Sequence, residues 1–170
     1  MIFVAPILDR TCLAYLREIA ARAAWVDGRI TARTATQKHN EQVAVTTGYG
    51  QMAAHIVVGA LLERLPFRPV AMTTPMLNRY SAGMQYGPHC DAPVMDGVRT
   101  DLAATLFLSE PEEYDGGELV IGETPLKLRA GELLFYKCGE IHCVRKVTRG
   151  ERLALVLWMQ VSNLHQRQFC

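Results

Sequence analysis

This 170-residue chain has no long hydrophobic run and no excess of charge. No apolar stretch reaches the ~20 residues that a membrane-spanning helix requires. The opening apolar run, Met1 to Leu8, lacks a basic flank and meets Asp9-Arg10 too early for a secretory signal. Eighteen basic and 17 acidic residues leave a formal net charge of +1, with no basic block. Electrostatics therefore offer no case for nucleic acid or an anionic membrane as partner. Cysteine is sparse: five residues, at 12, 90, 138, 143 and 170, with no Cys-x-x-Cys. That makes a poor disulfide framework and a poor zinc framework, and implies a reducing, cytoplasmic location. Linkers, repeats and low-complexity tracts are also missing. What remains, at 49% hydrophobic and 21% charged residues, reads as one globular domain spanning 1–170.

Two textures divide the chain. The N-terminal part, 1–68, reads as helical. Asp9 or Thr11 can cap a helix to about Ala24, with Leu13, Leu16, Ile19 and Ala20 on one stripe. A second helix is expected from about Tyr49 to Arg64, with Met52, Ile56, Leu61 and Leu62 as apolar contacts, stopping before Pro66. Between them Gly28 to Gly48 is polar, rich in Thr and Gln, and expected as an extended loop. From Pro69 onward short β-rich segments follow at about 70–80, 99–109, 117–121, 125–129, 132–137, 141–147 and 151–161. Turn signals such as Ser81-Ala82-Gly83, Asp115-Gly116-Gly117, Ala130-Gly131 and Arg149-Gly150 separate many of them. This pattern predicts an α+β protein: a double-stranded β-helix (jelly roll) core at 69–161 with the helices packed on its outside.

His89, Asp91 and His142 carry the chemistry. Two imidazoles and a carboxylate are the donor set that holds non-haem Fe(II) on one face and leaves other coordination positions open. His89 and Asp91 are i and i+2, so in extended backbone both point to one face. Gly87-Pro88 is read as a turn, placing the pair at a strand end or in the following loop. His142 lies 51 positions after Asp91, at the start of an apolar strand, and a jelly roll brings such distant strands together.

Arg152 adds an anchor for an acidic co-substrate. Thr148-Arg149-Gly150 resembles a three-residue hairpin loop with Gly150 in the left-handed region. Counted outward from that loop, His142 falls opposite Val156, and Arg152 projects from the same face as His142. A two-residue loop would reverse this parity. Each residue alone has a plainer reading. His-x-Asp is common by chance, a strand histidine is usually structural, and an arginine often caps a hairpin. His39, His55 and His165 have no such company and read as structural or exposed. Alternation turns Cys90 and Cys143 away from the metal face, as packing residues.

Beyond these positions the sequence resembles the prolyl-4-hydroxylase-like Fe(II)/2-oxoglutarate dioxygenases, and within them the PKHD-type hydroxylases. Tyr80, Tyr86-Gly87-Pro88-His89-Cys90-Asp91 and Arg99 through Ser109 carry the resemblance. Tyr114-Asp115-Gly116-Gly117-Glu118-Leu119 and His142 through Gln160 continue it, and Asn78-Arg79-Tyr80 and Trp25-Val26-Asp27-Gly28-Arg29 also match. It implies His89, Asp91 and His142 as iron ligands, and Arg152 as partner of the distal carboxylate of 2-oxoglutarate. Tyr80 matches a position where relatives place a hydroxyl on the co-substrate. Thr105 and Phe107 fall on a strand lining the same pocket. Phe107 cannot donate where some relatives have tyrosine, which leaves more of the anchoring to Arg152.

The implied reaction is hydroxylation of an aliphatic C–H bond, using O₂ and releasing succinate and CO₂, with ascorbate in a supporting role. Val144, Val156 and Trp158 are expected in the wall of the site. Arg99, Asp101, Asn78 and Gln160 are candidates to face substrate, with structural contacts the equal alternative. The substrate is an amino acid, a peptidyl residue or a small metabolite, and the protein a monomer or homodimer. Compared with PKHD-type proteins the chain lacks a further C-terminal helical segment, and its Pro93 to Val98 loop is short. A cupin-like metalloenzyme independent of 2-oxoglutarate and a non-catalytic binding barrel are the alternatives. Asp91 argues against halogenation, since iron halogenases lack the carboxylate.

Overall fold

The computed structural model describes residues 2–32 and 37–162. His165 and Cys170, both noted in the sequence, lie outside the described residues. In chain order the elements begin with β1 (Ile2–Pro6), α1 (Arg10–Arg22), β2 (Trp25–Asp27), β3 (Lys38–His39), β4 (Glu41–Val43) and α2 (Gly48–Arg64). Then follow β5 (Ala71–Met72), β6 (Met76–Ser81), β7 (Gln85–His89), β8 (Val94–Met95), β9 (Val98–Arg99) and β10 (Leu102–Phe107). The chain finishes with β11 (Tyr114–Gly116), β12 (Leu119–Ile121), β13 (Thr124–Leu126), β14 (Glu132–Lys137), β15 (His142–Val144) and β16 (Val147–Gln160).

Two antiparallel sheets form the core. The larger runs β1-β14-β10-β16-β6-β4-β2, with β11 and β5 also paired to β16; the smaller runs β13-β12-β15-β7-β3. Alternation sorts the side chains of the larger sheet. Leu153, Leu155, Leu157 and Met159 of β16, with Leu106, Leu133 and Phe135, form one apolar cluster with Leu16 and Ile19 of α1 and Val57 and Leu61 of α2. The opposite face contributes Ala103, Phe107, Leu134 and Tyr136 to a second cluster, shared with Leu119, Ile121 and Val144 of the smaller sheet. Each such large side chain contributes about 1.5–3 kcal/mol on burial. The helices thus cover one face of the larger sheet, and the space between the sheets is left for a site.

Helix boundaries follow the caps. Asp9 accepts from the Cys12 amide at 2.8 Å, and Thr47 accepts from the Gly50 amide at 3.1 Å. The α1 stripe is as expected, but α2 turns Ala53, Ala54, Val57 and Leu61 inward and leaves Met52 and Leu62 exposed. Leu61 and Ile56 pack on the core as expected, and the small alanines complete the buried face in place of Met52 and Leu62.

Several local expectations are corrected. The N-terminal part contains strands as well as helices: β1 pairs with β14, and β3 and β4 occupy the region expected to be loop. They are two to five residues long, too short for periodicity to show. Gly87-Pro88 does not turn; it lies inside β7, in the outer part of the smaller sheet. Thr148-Arg149-Gly150 makes no hairpin, since β16 runs through it unbroken. Gly150 does have positive φ (72°), but because it faces β11: a Cβ there would lie 2.0 Å from the Glu113 carbonyl oxygen. Cys90 is exposed, not packed, with its Sγ 3.4 Å from the Gly139 carbonyl oxygen. The short loop after the metal motif is the β8–β9 hairpin, closed by Asp96 (φ 49°) and Gly97 (φ 76°).

Candidate active site

His89 and His142 stand directly opposite each other on β7 and β15. Opposed positions in an antiparallel pair place Cβ atoms about 4.5–5.5 Å apart, close enough for two imidazoles to reach one ion. Their ring centroids are 4.2 Å apart. His142 therefore pairs with His89 and Ile121, not with Val156, which lies on the other sheet opposite Met76 and Thr105. Asp91 follows two residues beyond the end of β7 and folds back between the histidines. Its Oδ1 is 3.9 Å from His89 Nε2 and its Oδ2 is 3.7 Å from His142 Nε2. One donor atom from each of the three residues falls within 4.8 Å of the others.

The imidazoles are oriented by their own backbone. His89 Nδ1 lies 2.9 Å from the Gly87 carbonyl oxygen and His142 Nδ1 lies 3.0 Å from that of Glu140. Donation from each Nδ1–H leaves the Nε2 lone pairs free to face an ion. Burial lowers the His89 pKa, which favours the neutral, ligating form. Trp158 Nε1 donates to Asp91 Oδ2 at 2.8 Å and fixes the carboxylate plane. Tyr86 stacks on His89 with centroids 3.7 Å apart, and Tyr136 meets His142 edge-on at 5.2 Å. Sequence reasoning placed Trp158 in the wall and missed both its bond to Asp91 and the role of Tyr136. The even spacing of Trp158 from Arg152 along one strand was the available signal.

Arg152 enters the same space from β16, although not by the hairpin parity that suggested it. The two sheets face each other, so an inward residue of β16 looks toward β15 and β7. Arg152 is 2% exposed, its Nε has no partner, and no described carboxylate lies within 4.0 Å of it. Its guanidinium sits 5.4 Å from the Tyr80 ring centroid and 5.2 Å from that of Phe107. Aromatic faces offset part of the cost of such burial, but a buried guanidinium with a free N–H remains a site for an anion. Burial pushes the Tyr80 phenol up to about 12, so it stays protonated and able to donate. Thr105 is buried opposite Val156.

One cavity of about 550 Å³ joins these groups, a volume ordinary for a small-molecule site. Tyr80, His89, Asp91, Thr105, His142 and Arg152 all line it, as do Val144, Val156 and Trp158. Of the residues offered as facing substrate, Asn78 lines it but is tied to Met76 and Asn40 through buried hydrogen bonds. Arg99 and Asp101 pair with each other and with the Val161 backbone, a structural role. The donor set and the buried guanidinium with its unpartnered Nε together fit an Fe(II) ion bound beside a dicarboxylate.

The model of the 2OG-Fe(II) oxygenase superfamily matches residues 75–160. A PKHD-type hydroxylase of Gluconacetobacter diazotrophicus is 40% identical over 176 aligned positions, covering 94% of this chain and 78% of that protein.

The chain belongs to the 2OG-Fe(II) oxygenase superfamily.

Within it the oxygenase sides with the PKHD-type hydroxylases. Solved structures agree on the fold. An oxidoreductase of the 2OG-Fe(II) oxygenase family from Burkholderia pseudomallei has a TM-score of 0.72 at 18% identity, covering 95% of this chain and 86% of that one. A Pseudomonas putida prolyl-4-hydroxylase has a TM-score of 0.63 at 20% identity, covering 95% and 93%. The jelly-roll core is thus shared, and the cofactors of the superfamily are Fe(II) and 2-oxoglutarate, with O₂ as co-substrate. No helix among the described residues is long and apolar enough to cross a membrane.

Proposed function

We propose that His89, Asp91 and His142 hold the Fe(II), and that Arg152 binds the distal carboxylate of 2-oxoglutarate. Tyr80 and Thr105 complete the co-substrate pocket. The oxygenase hydroxylates an aliphatic C–H bond of an amino acid, peptidyl residue or small metabolite. The observation that carries this reading is the sharing of one cavity by a three-residue donor cluster and a buried guanidinium with an unpartnered Nε.

Bound iron and 2-oxoglutarate supply the oxidising chemistry, with O₂ consumed and succinate and CO₂ released. The chain supplies position. His89 and His142 offer Nε2 lone pairs held by backbone carbonyls, and Asp91 offers a carboxylate held by Trp158. Arg152 makes a charge-assisted contact at the far end of the co-substrate, with the protonated Tyr80 hydroxyl beside it. Val144, Val156 and Trp158 keep bulk water from the reacting carbon. The chain acts as one domain, as a monomer or homodimer, and its sparse cysteines suit the cytoplasm.

Replacing Arg152 with Ala tests the assignment. Removing a buried charged anchor is expected to raise the 2-oxoglutarate Kd by about 100-fold or more while iron remains bound. Unchanged co-substrate affinity would remove Arg152 from the site.

A further inference from the structure

Lys38 is a second buried cation in the cavity, and no role yet described accounts for it. It lies on β3, the edge strand of the smaller sheet, directly opposite Tyr86 of β7. Only 6% of it is exposed, and it lines the cavity that holds the metal cluster. Its Nζ lies 5.5 Å from the Tyr86 ring centroid, and that ring lies 3.7 Å from the His89 ring, so the ammonium is within about 9 Å of the imidazole. One N–H donates to Thr31 Oγ1 at 3.0 Å, and no described carboxylate lies within 4.0 Å. An ammonium has three donors, so one hydroxyl leaves two of them without a hydrogen-bond partner among the described residues.

The charges in the cavity sharpen the point. With iron and co-substrate bound, the two positive charges of Fe(II) are matched by the two carboxylates of 2-oxoglutarate, and Arg152 by Asp91. Asp96 also lines the cavity but sits exposed at the β8–β9 turn, where water screens it. Asp27 also acts on Lys38 through its charge, but it is exposed and already paired with Arg29. Among the described residues the Lys38 charge therefore has no buried counterpart, in a place where charge is costly to bury alone. We infer that Lys38 is a substrate-binding residue, and that the substrate of this oxygenase is a small molecule bearing a free carboxylate which pairs with its ammonium. One excess positive charge fits a monoanion, and a phosphate monoester would bring nearly two negative charges. An internal peptidyl residue has its α-carboxyl group tied up in an amide, and unless its side chain is acidic it offers Lys38 no such partner. The inference rests on the proposed function and narrows its substrate to one of the open classes.

Burial supports the same picture, because it brings the Lys38 ammonium down to about 8. The group remains mostly protonated at neutral pH, and pairing with a carboxylate relieves part of what desolvation costs it. Lysine presents a compact point charge on a flexible stem, suited to an anion whose position is set mainly by the reacting carbon.

The test uses the full chain loaded with a redox-inert divalent metal and 2-oxoglutarate. A panel of free L-amino acids and short aliphatic monocarboxylates is titrated beside the matching carboxamides, with Trp158 fluorescence and thermal shift as readouts. Members that bind are expected to do so as the acid, with the amide about 10- to 100-fold weaker, the loss of one charge-assisted hydrogen bond. Lys38→Met should abolish that preference and Lys38→Arg should keep much of it. Binding of acids and amides alike, no acid binding at all, or a preference that survives Lys38→Met would each overturn the inference. Failure of the proposed function looks different: the wild type would not take up 2-oxoglutarate before any panel member is added. The acid-against-amide comparison at Lys38 could still be made on the metal-loaded protein.

Discussion

Replacing Lys38 with Met should make the metal-free protein more stable at neutral pH. Burial takes the ammonium from its ordinary 10.5 down to about 8. That difference corresponds to about 3 kcal/mol of unfavourable free energy for holding the charged form in the fold. Methionine removes the charge and retains an apolar stem against Tyr86. The losses are one charge-assisted hydrogen bond to Thr31, worth about 1.5 kcal/mol since that hydroxyl keeps other partners, and a cation–π contact worth about 0.5–1 kcal/mol. The balance is a gain of about 0.5–1 kcal/mol, or about 1–4 °C in Tm for a domain of this size. The sign follows from proton binding. Between about pH 8 and the unfolded value of 10.5, the unfolded chain binds more protons than the folded one. Wild-type stability should therefore rise with pH across that window, and the advantage of the variant should fade there. Urea denaturation in chelator at about pH 7 and about pH 9.5 reads both effects. A variant less stable at pH 7, or a difference that ignores pH, would refute the reasoning. A residue that costs stability and is kept in a cavity is what a binding role leads one to expect.

Two further outcomes follow from the geometry. Trp158→Phe removes the indole N–H from Asp91 Oδ2, and iron affinity measured by chelator competition should fall about 10- to 100-fold; unchanged affinity would mean that the carboxylate needs no such support. Gly150→Ala should cost more than about 2 kcal/mol in thermal or urea unfolding, because its Cβ would meet Glu113 at 2.0 Å with φ at +72°. Gly83→Ala, at φ +93° in open space, should cost only about 1–2 kcal/mol, and equal losses at both glycines would contradict the account.

The donor cluster was legible in the sequence through the chemistry of His89, Asp91 and His142, although Asp91 reaches the histidines by folding back after β7 and not by strand alternation. The route to Arg152 was not. Gly150 signals a left-handed residue, and a hairpin is the commonest use of one. Here that conformation serves the approach of β11, and only the stacking of two sheets brings Arg152 to the cavity. Apolar runs bounded by turn signals located β10, β14 and the 151–160 part of β16, since these stretches are largely buried, while the start of β16 reads as a turn. β3 escaped because two residues have no period, and their pairing with β7 is a long-range event. Lys38 escaped with it, inside a segment whose polar composition reads as solvent-exposed loop. Trp158 was expected in the wall of the site, but its bond to Asp91 depends on how the loop after β7 folds back.

The most direct measurement of the central claim is succinate formation by the purified protein with Fe(II), ascorbate and 2-oxoglutarate. The wild type should produce succinate slowly even without substrate, faster with the right carboxylate-bearing one, and His142→Ala should produce none. A wild type that makes no succinate with substrate candidates present, or a His142→Ala variant as active as wild type, would contradict the assignment of this site.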